Sequence, residues 1–326
     1  MNESEVAGMQ IVILERNSVG EDVDVSCFEK LGQVTCYPVM DLEHIAERVK
    51  DADIIIANKS PLNETTLAGA KNVKMIAEFA TGYDNIDLEY CKKRGIVVTN
   101  VRGYSTAAVV QHTFAMAFYV LEHLAYYDEY VKSGAYSAQN NFTHYGQPFT
   151  ELEGKTWGIL GMGNIGRGVA RVAEAFGCKV IYYSTSGRNT GLPYPLVSLD
   201  ELLAESDFIS CHCPLNEATK GLLNKSAFQK MKNTAIVLNL ARGGVVNNAD
   251  LYEALVQNEI AGAGLDVLEG EPLQPDNPLA DFQDSNRLII TPHMAWASTE
   301  ARNRCVEEAY KNVEAFLHGE SRCVVE

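Results

Sequence analysis

The chain is short of basic charge. Its 27 lysines and arginines stand against 43 aspartates and glutamates, a formal net charge of −16. That balance speaks against a nucleic-acid or anionic-membrane partner, since both need a basic face. An anionic ligand must then be held locally, by a few cations and backbone N–H groups. No apolar run approaches the roughly 20 residues of a membrane span. Residues 1–5 are acidic rather than basic, so a signal peptide is not expected. The eight cysteines include no Cys-x-x-Cys pair, and a reducing, cytoplasmic setting is the expectation. Cys211-His212-Cys213 has ligand-like spacing. However, it ends an apolar strand in which adjacent side chains point to opposite faces, so no metal is expected. Internal repeats and low-complexity tracts are also lacking.

What is present is a long, ordinary alternation. At 326 residues and 46% apolar composition, the chain can build two domains, each with its own core. Short apolar runs that read as strands alternate with helical patterns from end to end, the mark of a parallel α/β sheet. The first third gives strands at 10–14, 34–37, 54–57, 75–79 and 96–99, with helices at 42–50 and 87–94 among the connections. One long helical pattern covers 104–130. A polar and aromatic stretch, 132–150, follows without a period, and such a long irregular excursion reads as a dimerisation arm or a solvated loop. A second series places strands at 156–160, 179–183, 208–212, 235–239, 261–265 and 288–291. Six strands match a complete dinucleotide-binding domain in count. A last helix at about 299–317 is expected to return to the first domain.

Four strands of the second series end in residues suited to one chemistry. The strand at 156–160 runs into Gly161-Met-Gly163-Asn164-Ile165-Gly166 and then a helix at 165–176. This Gly-x-Gly-x-x-Gly context suits a pyrophosphate, because the glycines permit a tight turn and close approach at a helix N-terminus. The strand at 235–239 is followed by Ala241-Arg242-Gly243-Gly244, the next by Asp266 and Glu271, and the last by His293. Carboxyl ends of parallel strands open onto one crevice where ligands bind. An imidazole there is a general acid for the oxygen of a ketone, and a neighbouring carboxylate favours its charged form. A guanidinium grips carboxylate and carbonyl oxygens with its planar fork. Each has a bland alternative: His293 as a capping residue, Glu271-Pro272 as a simple turn, Arg242 as a surface cation. Three together at adjacent strand ends point to catalysis.

The end of the second strand, where an NAD-specific domain places an acid for the ribose 2′-OH, reads Ser184-Thr185-Ser186-Gly187-Arg188. Hydroxyls and a guanidinium suit a 2′-phosphate, so NADP(H) is favoured over NAD(H); the alternative is that the hydroxyls serve the ribose and Arg188 is solvated.

Taken together, Ala80-Thr81-Gly82-Tyr83-Asp84-Asn85-Ile86-Asp87, the glycine loop, His212-Cys213-Pro214-Leu215 with Thr219, Asn239-Leu-Ala241-Arg242-Gly243-Gly244, Gly264-Leu-Asp266 through Glu271-Pro272, and Pro292-His293 resemble the D-isomer-specific 2-hydroxyacid dehydrogenases. The resemblance covers nearly the whole chain. It implies an α/β fold of two doubly wound parallel-sheet domains. A Rossmann cofactor domain, 104–293, would be inserted into a flavodoxin-like substrate domain built from 1–103 and 294–326. It also implies His293 as general acid/base, Glu271 as its partner and Arg242 as the substrate-binding, polarising cation. Backbone N–H groups at Thr81 and Gly82 would take the substrate carboxylate. Cys213, Pro214, Thr219 and Ala241 would line the cofactor, with Asp266 at the nicotinamide carboxamide.

Asn58-Lys59-Ser60-Pro61-Leu62, Tyr104-Ser105-Thr106 with Val110-Gln111-His112-Thr113-Phe114, and the segment from His293 to Trp296 are similar to the glycerate dehydrogenase/hydroxypyruvate reductase branch. Ser60 joins the candidate substrate contacts on that basis, and Trp296 reads as a pocket wall or a core residue. The expected activity is reduction of a small anionic 2-oxo acid such as hydroxypyruvate by a homodimer. A dehydrogenase for a bulkier acid and a cofactor-sensing corepressor are the alternatives. With nothing after Glu326, the longer phosphoglycerate dehydrogenases are not expected.

Overall fold

The structure is a computed structural model in which residues 8–325 are described; residues 1–7, on which the signal-peptide reading falls, lie outside them. The chain divides into two compact units, Met1–Ser105 with Ala297–Glu326 and Thr106–Trp296.

In the first unit β1 (Gln10–Ile13), β2 (Gln33–Cys36), β3 (Ile54–Ala57), β4 (Met75–Glu78) and β5 (Val97–Thr99) form a sheet in the order β2-β1-β3-β4-β5. Every pairing is parallel, and the order is that of flavodoxin. The sequence of β3, Ile-Ile-Ile-Ala, is buried throughout, as a strand covered on both faces requires. Helix Leu88–Arg94 starts where Asp87 accepts from the Tyr90 N–H and stops at left-handed Gly95. The helix expected over 42–50 shrinks to Ile45–Arg48. The residues before it are held in a turn by Asp41, which accepts from His44 Nδ1 and Arg48 Nη2, both at 2.9 Å. Helix Thr299–Leu317 belongs to this unit, where buried Asn312 donates to the Asn100 carbonyl at 3.0 Å.

The second unit holds β6 (Thr156–Leu160), β7 (Lys179–Tyr183), β8 (Phe208–Cys211), β9 (Ile236–Asn239), β10 (Gly262–Leu265) and β11 (Leu288–Ile290), in the order β11-β10-β9-β8-β6-β7. The strands are six, but they are not the six of the usual dinucleotide fold. Its third strand, outside β7, is reduced to a single parallel bridge between Tyr182 and Leu196, and β11 is an addition at the opposite edge. Gly187, Gly191, Pro193 and Pro195 explain the loss, because such residues interrupt pairing. The strand order reverses between β6 and β8, and at such a switch point ligands bind.

The single helical pattern over 104–130 resolves into Thr106–Leu121 and Leu124–Lys132. They are separated at His123, whose φ of 52° is left-handed. Hydrophobic spacing continues through the break, so the pattern conceals it. Beyond lies a short helix, Ala135–Ala138. Within the following segment the His144 ring stacks on Tyr130 at 3.7 Å and bonds the Tyr126 hydroxyl at 2.7 Å.

Candidate active site

The glycine loop is shaped by contacts that only glycine permits. Gly161 has φ 96°, and a Cβ on it would stand 2.9 Å from Cys213 at the end of β8. A Cβ on Gly166 would stand 2.3 Å from the Gly161 carbonyl oxygen. Gly163 differs. It precedes helix Asn164–Ala175, and a Cβ there would meet nothing within 4 Å. The first and third glycines thus serve packing, while the second leaves open space at a helix N-terminus, as a bound pyrophosphate requires. This chain's residues fit a dinucleotide. Pro214 and Thr219 shape the neighbouring loop: buried Thr219 donates from Oγ1 to the Pro214 carbonyl at 2.6 Å and accepts from the Asn216 N–H at 2.9 Å. Thr219 therefore holds the cradle rather than offering a free hydroxyl.

At the end of β7, Ser184 Oγ is buried without a hydrogen-bond partner among the described residues. Ser186 and Arg188 are exposed, Thr185 is half-buried, and Ser186 Oγ accepts from the Arg188 N–H at 3.3 Å. No acid lies in this turn.

The catalytic candidates come from β9, β10 and β11, which are neighbours in the sheet. Asn239 at the end of β9 bonds both sides of the turn that follows, accepting from the Ala241 N–H and donating to the Arg242 carbonyl. Arg242 Nη1 donates to the Ala241 carbonyl at 2.9 Å. A Cβ on Gly243 would lie 1.8 Å from the Leu268 carbonyl oxygen, so glycine lets the Arg242 turn press directly on the loop carrying Glu271. In that loop Glu271 uses both oxygens. Oε1 accepts from the Leu268 N–H at 3.0 Å, and Oε2 stands 2.6 Å from His293 Nδ1.

Buried Asp266 organises the last piece. Its carbonyl accepts from the His293 N–H at 2.9 Å. Its Oδ1 accepts from Met294 N–H (2.8 Å) and Thr291 Oγ1 (2.6 Å), and Oδ2 accepts from Ala295 N–H (2.8 Å). His293 itself has φ 54°, a conformation that costs a non-glycine residue roughly 1–3 kcal/mol and persists only where its surroundings impose it. Here they do, through the amides of residues 293, 294 and 295. The family resemblance makes Asp266 a nicotinamide contact; three donors already occupy its carboxylate, and of about four acceptor positions only one, on Oδ2, remains. His112 and Thr291 were missed. His112 Nε2 bonds Thr291 Oγ1 at 3.0 Å across 179 positions of chain, a contact with no local sequence signal.

Candidates in the first unit are also placed. Thr81 Oγ1 donates to the Val101 carbonyl at 2.7 Å, and Gly82 is half-buried beside it. Ser60 is fully buried; its N–H donates to Glu15 Oε1 at 2.6 Å, and its Oγ has no hydrogen-bond partner among the described residues. Trp296 is partly buried against the apolar cluster of Phe114, Trp157 and Leu238.

No group of three or more His, Cys, Asp or Glu side chains is set to hold a metal among the described residues. All eight cysteines are unpaired. Burial raises the Cys213 thiol to about 11 and depresses the His212 imidazole to about 3, so both are neutral. No helix of the described residues is long and apolar enough to cross a membrane.

Comparison with known proteins agrees with this geometry. The family profile described as "D-isomer specific 2-hydroxyacid dehydrogenase, NAD binding domain" matches residues 114–295. A hydroxypyruvate reductase of Blautia hydrogenotrophica is 36% identical over 319 residues, covering 95% of this chain and 98% of the relative. A glycerate dehydrogenase of Methylorubrum extorquens is 38% identical over 284 residues, 87% and 88% of the two chains. Among solved structures, the NADPH-dependent glyoxylate/hydroxypyruvate reductase of Sinorhizobium meliloti with NADP and malonate superposes with a TM-score of 0.82 at 26% identity. That match covers 97% of this chain and 96% of the other.

Proposed function

The chain belongs to the D-isomer-specific 2-hydroxyacid dehydrogenases, and from that premise we propose that it reduces hydroxypyruvate, or a 2-oxo acid of similar size, to the D-hydroxy acid and catalyses the reverse. As a member of that family it is an oxidoreductase that exchanges hydride between a nicotinamide cofactor and a small 2-oxo or 2-hydroxy acid. The observation that carries the reading is the 2.6 Å pairing of His293 Nδ1 with Glu271.

Bound nicotinamide supplies or accepts the hydride. The remaining work falls to side chains. With Nδ1–H given to Glu271, His293 keeps Nε2 for the proton that moves to or from the substrate oxygen. Arg242 polarises the carbonyl and stabilises charge developing on its oxygen. Thr81 spends its hydroxyl on Val101, so what it and Gly82 can offer an anion is their backbone N–H groups. The carboxylate of Asp266 has one acceptor position to give to the carboxamide.

The cofactor is proposed to be NADP(H). Ser184, Thr185, Ser186 and Arg188 support this, since hydroxyls and a guanidinium suit a 2′-phosphate that a carboxylate would repel. The Sinorhizobium structure contains NADP. The protein is further proposed to be a cytoplasmic homodimer. Eight unpaired cysteines support the compartment. Exposed Phe142, Tyr145 and Phe149 in the arm support self-association.

Initial rates with NADPH and NADH on hydroxypyruvate, glyoxylate and pyruvate test the reading. Fastest turnover of hydroxypyruvate with NADPH is expected. Preference for pyruvate would overturn the substrate. Tight cofactor binding without turnover of any 2-oxo acid would overturn the activity and favour a cofactor sensor.

A further inference from the structure

We propose that His112 is a positioning residue for this reaction, acting through Thr291 and Asp266 on the backbone that presents His293. The proposal rests on the dehydrogenase reading above, in which His293 handles the proton.

His112 lies on helix Thr106–Leu121, outside the loop that carries His293. A hydroxyl has one proton to give. Thr291 Oγ1 gives it to Asp266 Oδ1 at 2.6 Å, so toward His112 the hydroxyl is an acceptor, and the ring N–H at Nε2 is the donor. The direction of the chain is fixed: His112 to Thr291, Thr291 to Asp266. His112 Nε2 also stands 3.8 Å from Asp266 Oδ1.

Asp266 is only 2% exposed, and a buried carboxylate is tolerated where donors satisfy it. Its donors are Thr291 and the amides of Met294 and Ala295. The His293 N–H is shared between the carbonyls of Asp266 and Thr291, both at 2.9 Å. Among the described residues, the hydrogen bonds that fix the amides of residues 293–295 therefore end on Asp266 or Thr291, the two residues His112 approaches. Because His293 is held at a positive φ, loosening these anchors lets its backbone relax toward an ordinary conformation. That motion would carry Nε2 away from the reacting oxygen. Loss of the His112 donor frees Thr291 to rotate, and Asp266 then loses one of its donors.

The test compares His112→Leu, which removes the donor, with His112→Gln, which keeps an N–H at similar reach. Thr291→Val is compared with Thr291→Ser in the same way. Turnover of hydroxypyruvate with NADPH, KM, cofactor binding and thermal midpoint are measured for all. The expectation is a kcat lower by roughly tenfold or more for His112→Leu and Thr291→Val, as small misplacements of a reacting group produce. KM and cofactor affinity should change little, and His112→Gln and Thr291→Ser should recover most of kcat. The double variant His112→Leu/Thr291→Val should be no slower than the worse single, as expected for one connected chain.

Equal loss in His112→Leu and His112→Gln, multiplicative loss in the double, or unchanged kcat in His112→Leu would overturn the proposal. If a His112 variant does not fold, the Thr291 pair still decides it. Amide hydrogen exchange at Met294 and Ala295 provides a readout independent of turnover. Faster exchange in His112→Leu, restored in His112→Gln, supports the relay, and unchanged exchange rejects it. Lack of turnover by the unaltered protein on any 2-oxo acid would instead reject the dehydrogenase reading and leave the exchange result standing.

Discussion

His293 Nδ1 lies 2.6 Å from Glu271 Oε2, although 22 residues separate them. The contact exists because β10 and β11 are adjacent parallel strands, so the loops leaving their carboxyl ends meet. Glu271 is steadied by the Leu268 N–H and His293 by Asp266. Neither side chain is left to find the other by chance.

Replacing His293 with Gln is expected to leave cofactor affinity near that of the unaltered protein. Turnover should fall by about 10²–10⁴-fold, the usual contribution of a positioned acid–base group. Steady-state rates with a fluorescence titration of NADPH check both halves. Near-normal turnover would take His293 out of the mechanism.

Gly243→Ala tests the packing that brings the Arg242 turn onto the Glu271 loop. The added Cβ would stand 1.8 Å from the Leu268 carbonyl oxygen, and that oxygen is backbone, so the loops must separate. Overpacking of this kind costs about 1–3 kcal/mol. A lower denaturation midpoint and a disproportionate fall in kcat are expected. A variant of full stability and activity would show that the close approach is dispensable.

Arg188→Gln addresses the cofactor. If the guanidinium meets a 2′-phosphate, KM for NADPH should rise by about tenfold, equivalent to roughly 1.4 kcal/mol, while KM for NADH barely moves. Equal changes with both nucleotides would exclude a phosphate contact.

Glu78 predicts a dependence of stability on pH. It ends β4 fully buried, and neither carboxylate oxygen has a hydrogen-bond partner among the described residues. Neighbouring Asn85 donates instead to the Ser60 carbonyl. Burial, with the Glu15 carboxylate adding to it and nearby Asn85 and Lys59 only partly opposing it, pushes the Glu78 carboxyl well above its ordinary value of 4.5. The folded state therefore holds a proton that the unfolded chain releases near that value. Stability is full below it and declines as pH rises toward the folded value. Glu78→Gln, neutral at every pH, should flatten that decline. Thermal midpoints from about pH 5 to about pH 8 measure it; parallel curves for the two proteins would show that Glu78 does not titrate between the states.

Much of the architecture was legible because it is local. Apolar runs such as Ile-Ile-Ile-Ala mark strands covered on both faces, and Asp87 and Gly95 mark the ends of a helix. The strand ends carrying Arg242, Asp266 and His293 followed from the same reading. The third Rossmann strand was misread, since only the sheet order reveals that β11 was counted in its place. Nothing near Ser60 in the sequence shows that Glu15, just past the end of β1, accepts from its amide. The break at His123 escaped because hydrophobic spacing reports a face and is silent about one residue's φ.

The amino-acid order by itself determined the alternation of strands and helices, the glycine turn and the residue types at each strand end, since these depend on near neighbours along the chain. Only the tertiary structure decided that Gly243 must lack a Cβ, that Asp266 supports a left-handed His293, and that His112 reaches Thr291. Those relations join segments far apart in sequence, and such contacts are set by which strands lie side by side.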